Sequence, residues 1–150
     1  MSETAHDPAP HPAPDPAPQG TGGPARSDGV PRALAGVVLD APDPRALAAF
    51  YRRLLGWETA EDGPDWVSLK GPGATGLSFQ TEPEYRPPTW PGRSDRQQMM
   101  LHLDFEVDDL EAAHEHAVAA GAVLADFQPQ DDVRVYTDPV GHVFCLFVRE

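Results

Sequence analysis

Apolar residues recur along this chain with two different periods, and the order of those periods is written twice. Leu47, Phe50, Tyr51 and Leu54 fall at i, i+3, i+4 and i+7, one face of a helix. Asp43 in front of them offers an N-cap side chain, and Pro44 suits the first helical position, where no backbone donor is needed. Gly56 supplies the left-handed stop. The apolar run Arg32 to Asp40 before this helix predicts a strand. After it come a short strand at Trp57 to Thr59 and two segments that alternate with period two, Trp66 to Lys70 and Gly76 to Gln80. Gly71-Pro72-Gly73 between the alternating segments predicts a hairpin turn.

The second round starts at Met99. Met99 to Val107 predicts a strand, Asp108 or Asp109 caps a helix, and Asp109 and Glu111 suit its positive first turn. Leu110, Ala113, Ala117 and Val118 are its expected buried face and Gly121 its end. A short strand at Val123, a strand from Val133 to Thr137, a turn at Asp138-Pro139-Val140-Gly141 and a strand from His142 to Val148 complete it. A shift of 66 residues lays Val37 on Leu103, Leu39 on Phe105, Ala41 on Val107 and Asp43 on Asp109. A shift of 67 lays Pro72 on Pro139, Leu77 on Phe144 and Ser78 on Cys145. The repeated unit is βαβββ, so the fold class is α+β.

Domain organisation follows from where these periods occur. Residues 31–150 form the folded domain, with modules at 32–82 and 98–149. The loop Pro83 to Arg96, with Tyr85 and Trp90 embedded in it, joins the modules and has the length of a functional cover. Residues 1–30 contain seven prolines and almost no large apolar side chain, so they are expected to be a disordered tail.

Charge narrows the partners. The chain carries −13 at neutral pH, and the first thirty residues hold only four acids and one arginine, so the excess lies on the folded part. Nucleic acid and anionic membrane surfaces are poor partners for such a chain, because phosphate contacts need a basic footprint. No apolar run is long enough to span a membrane, and no basic segment followed by an apolar run marks a signal peptide. Cys145 is the single cysteine, which leaves no internal disulfide and suits a reducing cytoplasm.

Several motifs in this order resemble the vicinal-oxygen-chelate superfamily, which includes glyoxalase I, bleomycin-resistance proteins and extradiol dioxygenases. They are Asp43-Pro44 leading to Phe50-Tyr51 and Leu54-Leu55-Gly56-Trp57, then His102-Leu103-Asp104-Phe105 with Val107 and Asp109, then Asp138-Pro139-Val140-Gly141-His142. Ser78-Phe79-Gln80 followed by Pro87, Trp90 and Pro91 is similar to the glyoxalase-like subgroup. The resemblance covers residues 32–149. It implies that the two modules curl into an open, cup-shaped mixed sheet with the helices outside. It also implies a homodimer that pairs modules across two chains, and metal ligands, where a metal is used, from the first and last strands of each module.

Strand parity sorts residues against that expectation. Leu101, Leu103, Phe105 and Val107 should pack under the helix, leaving Met100, His102, Asp104 and Glu106 toward the cup. Phe144, Leu146 and Val148 should do the same in the last strand, leaving Val143, Cys145 and Phe147 toward the cup. Gly36 and Val38 face it from the first strand, and Ser78 and Gln80 from the fourth. The positions matching the family's ligands are then Gly36, Ser78 or Gln80, His102, and Cys145. Glycine offers no ligand, serine is a poor one, and a thiol is soft where the family uses a carboxylate.

The expected function is therefore binding of a small organic molecule in the cleft between the modules without a metal cofactor, as a sequestering or resistance protein or a non-metal enzyme. Trp66, Ser68, Gln80, Tyr85, Trp90, Met100, His102, Cys145 and Phe147 are the candidate ligand-binding residues: aromatic walls with a few polar groups. His102 and Asp104 are the candidate catalytic pair, His102 as base or hydrogen-bonding group and Asp104 to orient it or bind substrate. A leftover of an ancestral ligand is the competing reading of His102. The alternative function is a lyase, isomerase or dioxygenase using one divalent ion on His102 with Gln80 and Cys145. His114 and His116 are expected to be solvent-exposed, His142 structural, and Cys145 an inert thiol.

Overall fold

The computed structural model describes residues 28–149. The described residues from Ala33 onward form one compact unit. Most of the expected tail, residues 1–30, lies outside the described residues.

Its elements are β1 (Gly36–Ala41), α1 (Pro44–Leu55), β2 (Glu58–Asp62), β3 (Trp66–Lys70), β4 (Gly76–Thr81), β5 (Leu103–Glu106), α2 (Leu110–Ala120), β6 (Val123–Leu124), β7 (Val133–Thr137) and β8 (Val143–Phe147). The duplicated βαβββ order is present. Hydrogen bonding arranges the strands as two four-stranded sheets, β1-β4-β3-β2 and β5-β8-β7-β6. In each, the strand before the helix runs parallel to the last strand of its module, and the other pairings are antiparallel. A parallel neighbour requires a long crossover, and the helix within each module supplies it.

Local chemistry sets the helix ends. Asp43 and Asp109 cap α1 and α2 by accepting from the backbone N–H groups of Ala46 and Ala112. Gly56 and Gly121 take the left-handed conformation that closes each helix. The two C-termini also cap one another. Arg53 of α1 donates twice to the Ala120 carbonyl, and a ring nitrogen of His116 on α2 lies 2.9 Å from the Leu54 carbonyl.

One core joins the modules. Phe50 and Tyr51 of α1 pack in an edge arrangement with ring centroids 4.8 Å apart, Tyr51 stacks on Phe79 of β4, and Phe144 of β8 stacks on Tyr136 of β7. Phe50 and Tyr51 also meet Phe144 directly, which ties the first helix to the second sheet. Each such fully buried ring contributes about 1.5–3 kcal/mol of transfer free energy.

Three local expectations are corrected. β5 begins at Leu103, not Met99, because its ladder with β8 starts at the Leu103–Phe144 pair. Without a partner strand nothing imposes alternation on residues 99–102, and Leu101 is exposed rather than packed under the helix. Val118 is also exposed: the buried stripe of α2 runs through the small side chains Ala117 and Ala120, with Leu110 and Ala113 beside them. His114 is half-buried, with Nδ1 2.9 Å from the Tyr136 hydroxyl, because the alanine-rich face lets the ring fold down onto β7.

Candidate functional site

The two faces of the second sheet differ. Phe144 and Leu146 of β8 point into the shared core, while Val143 and Cys145 point the other way and pack with Val135. Against that second face lie Trp90 and Met99 from the inter-module loop. They leave a cavity of about 350 Å³, whose walls include Trp90, Val133, Val135, Val143 and Phe147 and, among polar residues, His102, Asp104, Cys145 and Gln130. Trp90 is held in place by its indole N–H, which donates to the Phe127 carbonyl at 3.0 Å, and by ring contact with Phe127.

The polar residues have a definite arrangement. His102 Nε2 lies 3.2 Å from Asp104 Oδ1, with both side chains partly open to solvent. Asp104 stands directly opposite Cys145 in the β5–β8 ladder. The Cys145 thiol is pushed up to about 11, chiefly by burial and then by the charge of Asp104 and a hydrogen bond to it. Asp104 thus contacts both the imidazole and the thiol, and its negative charge beside the sulfur disfavours the thiolate that a nucleophilic cysteine needs.

Not all the candidate residues meet here. His102, Asp104, Trp90, Cys145 and Phe147 line this cavity. Trp66 and Ser68 lie on the first sheet instead, where both donate to the Glu61 carboxylate, the indole at 2.6 Å and the hydroxyl at 3.1 Å. Gln80 gives its amide to Asp40 at 2.7 Å. Tyr85 and Met100 line a second cleft, together with His142. Pro129 and Gln130 of the first cavity, from the loop between β6 and β7, escaped the sequence reading. Their only signal was an aperiodic stretch after Val123.

A glyoxalase-type metal centre draws ligands from both modules, and the residues here do not fit one. Gly36 has no donor, and a Cβ there would meet the Gly76 carbonyl oxygen at 3.1 Å, so a ligand side chain would require the strand pair to give by a few tenths of an ångström. Gln80 donates its amide N–H to Asp40 and does not line the cavity that holds His102. Among the described residues one group of three such donors comes together, His102, Asp104 and Cys145, with ligand atoms within 4.8 Å of one another. All three belong to the second module, so the first module adds no donor to them.

His142 and Asp138 form a different constellation. Asp138 is 2% exposed, the one buried charged residue among those described. Its Oδ2 accepts from the Tyr51 hydroxyl and from His142 Nδ1, each at 2.8 Å, and its Oδ1 accepts from the backbone N–H groups of Val140 and His142. Burial and then the Asp138 charge raise the Tyr51 pKa well above its usual value.

The glyoxalase-like domain model matches residues 36–147. The chain belongs to the glyoxalase-like family. Its fold is that of the vicinal-oxygen-chelate superfamily, and solved structures of the family superpose on it. A glyoxalase/bleomycin resistance protein/dioxygenase family enzyme from Burkholderia phytofirmans PsJN is 21% identical, with a TM-score of 0.60, covering 77% of this chain and 97% of its own. A possible glyoxalase from Bacillus cereus is 12% identical, with a TM-score of 0.59, covering 78% and 99%. The oxidase ChaP-H2 is 19% identical, with a TM-score of 0.58, covering 79% and 94%. At these identities the likeness establishes the fold alone. No curated protein matches the chain. No helix among the described residues is long and apolar enough to cross a membrane.

Proposed function

We propose that this glyoxalase-like protein binds a small, partly apolar organic molecule in the cavity on the open face of its second sheet, without a metal. The observation that carries the reading is the cavity itself: about 350 Å³, walled by Trp90, Phe147 and valines, with His102, Asp104 and Cys145 clustered in its wall. That volume and composition suit a ring-sized ligand. Among the described residues no lysine or arginine lines it, so a carboxylate or phosphate would find no fixed counter-charge. A neutral ligand with a hydrogen-bond donor suits it better, stacking on Trp90 and donating to Asp104 while His102 contributes a second polar contact.

Sequestration fits this chemistry more directly than covalent catalysis, because the one thiol is protonated and its neighbour is a carboxylate. A proton-transfer enzyme is the second reading, and the 3.2 Å approach of His102 to Asp104 is what favours it. The lone thiol suits a cytoplasmic setting, and the resemblance implies a homodimer, which sedimentation velocity tests.

The discriminating experiment uses protein purified without a histidine tag. Tryptophan fluorescence is titrated with small aromatic metabolites and antibiotics, with metal content measured on the same sample. Quenching that is lost in Trp90→Phe and weakened in His102→Ala, at negligible metal content, supports the reading. Near-stoichiometric Zn, Ni, Mn or Fe that disappears in His102→Ala refutes it in favour of the metal-dependent lyase, isomerase or dioxygenase.

A further inference from the structure

The second cleft lies where the first module meets the second, and its volume is also about 350 Å³. Val38 and Asp40 of β1 form one side, the segment from Glu82 to Pro88 another, and Met100, Leu103 and His142 the third. It shares only Val143 with the first cavity.

Two independent observations set this cleft apart from ordinary surface. The first is the state of His142. Its side chain is only 16% exposed, its Nδ1 is bonded to the buried Asp138 carboxylate, and its ring lies against Tyr85 with centroids 4.9 Å apart. A carboxylate accepts only, so Nδ1 carries a proton, and in the neutral ring Nε2 is the acceptor. The edge that remains for the cleft carries Nε2, for which no protein partner is recorded among the described residues. Tyr85 cannot fill that role, because its hydroxyl is spent on the Val140 carbonyl at 3.0 Å. The second observation is that Val38, Met100 and Leu101, all large and apolar, are left exposed around this one imidazole. Clustered exposed apolar side chains beside an oriented polar group are the composition of a binding site.

Charge selects the occupant. Asp40, Glu82 and Glu84 border the cleft against a single arginine, Arg86. We infer that the cleft at His142 is a second ligand site, one that takes a small organic cation with an apolar body. The ammonium group donates to His142 Nε2 and to the bordering carboxylates, and the apolar body covers Val38, Met100 and Leu101. Asp138 acts through His142: it holds the ring so that the acceptor nitrogen faces the cleft.

The test is NMR titration of the full chain, labelled at methionine methyls and histidine rings, with 2-phenylethylammonium and, separately, with 3-phenylpropanoate. The Met100 methyl and His142 ring signals should move with the amine, while the Met99 methyl in the first cavity stays still. Affinity for the amine should exceed that for the carboxylate by about tenfold or more, and His142→Phe should weaken amine binding by a similar factor. Asp40→Asn keeps an acceptor for Gln80 and serves as the variant that does not touch the buried network; it too should weaken the amine. Equal binding of amine and carboxylate, unchanged affinity in both variants, or no response at Met100 and His142 overturns the proposal. So does a sedimenting dimer in which Met100 and Leu101 are already covered by a second copy. The first cavity's reading survives any of these results, because its reporters are Trp90 and Met99.

Discussion

Replacing Asp138 by alanine removes the acceptor of four hydrogen bonds and leaves their donors behind. The Tyr51 hydroxyl suffers most. Tyr51 is fully buried beneath Phe79 and Phe144, so no water reaches the oxygen once its partner is gone. An orphaned buried donor costs about 1–3 kcal/mol. The backbone N–H groups of Val140 and His142 are only partly buried and recover some hydration, so their share is smaller. Taken with the lost imidazole contact, the total should reach about 3–5 kcal/mol, the range for breaking a buried charged network by removing one member. Tyr51→Phe alone removes one bond to a charged acceptor that keeps three other donors, and should cost about 1.5–3 kcal/mol. Urea unfolding followed by tryptophan fluorescence measures both, and the slope should stay unchanged if only stability moves. The decisive quantity is the coupling. In the Asp138→Ala background Tyr51→Phe should cost nothing or stabilise, because it removes an orphan hydroxyl. A loss below about 1 kcal/mol for Asp138→Ala, or an equal cost of Tyr51→Phe in both backgrounds, would refute the network as the tie between α1 and the β7–β8 turn.

Other outcomes follow from the same coordinates. Gly141 has φ +100° and a Cβ there would meet Pro87 Cβ at 2.7 Å, so Gly141→Ala should destabilise by about 1–3 kcal/mol in the same urea assay; a neutral result would mean that the turn relaxes. Cys145, with a thiol pushed up to about 11, should react with iodoacetamide at pH 8 about a hundredfold more slowly than a free thiol from ionisation alone; reaction at the free-thiol rate would refute the assigned protonation. Tyr51, Tyr85 and Cys145 are all raised, so each holds its proton more tightly folded than unfolded. Their contribution is complete below the unfolded values and lost as pH rises through the folded ones. Unfolding free energy should therefore stay level with respect to these groups up to about pH 9 and fall beyond it; a rise between about pH 9 and 11 would contradict the signs.

Most of the architecture was legible because the repeat constrained it. Asp43 and Asp109 cap the two helices, Gly56 and Gly121 end them, and the alternation at Trp66–Lys70 and Gly76–Gln80 became a hairpin as expected. Parity placed Val143, Cys145 and Phe147 opposite the core, and the first cavity lies on that face. Parity could not say how the two sheets divide that face. Trp66 and Gln80 satisfy it in their own sheet, yet Glu61 and Asp40 accept their N–H groups, and neither residue reaches the cavity. Long-range partners of this kind leave no periodic trace. Asp138 was invisible for the same reason: an aspartate before proline in a turn is ordinary sequence, and its burial comes from Tyr51, eighty-seven residues away.

The central claim is that the cavity beside Trp90 and His102 binds a small organic molecule without a metal. An NMR fragment screen on the EDTA-treated chain, reading the Trp90 indole, the Met99 methyl and the His102 ring, tests it most directly. The account predicts that neutral aromatic donors shift all three signals together, and that added divalent metal changes neither their affinity nor the pattern. Fragments that leave these signals still, or that bind only once a divalent metal is restored, would contradict it.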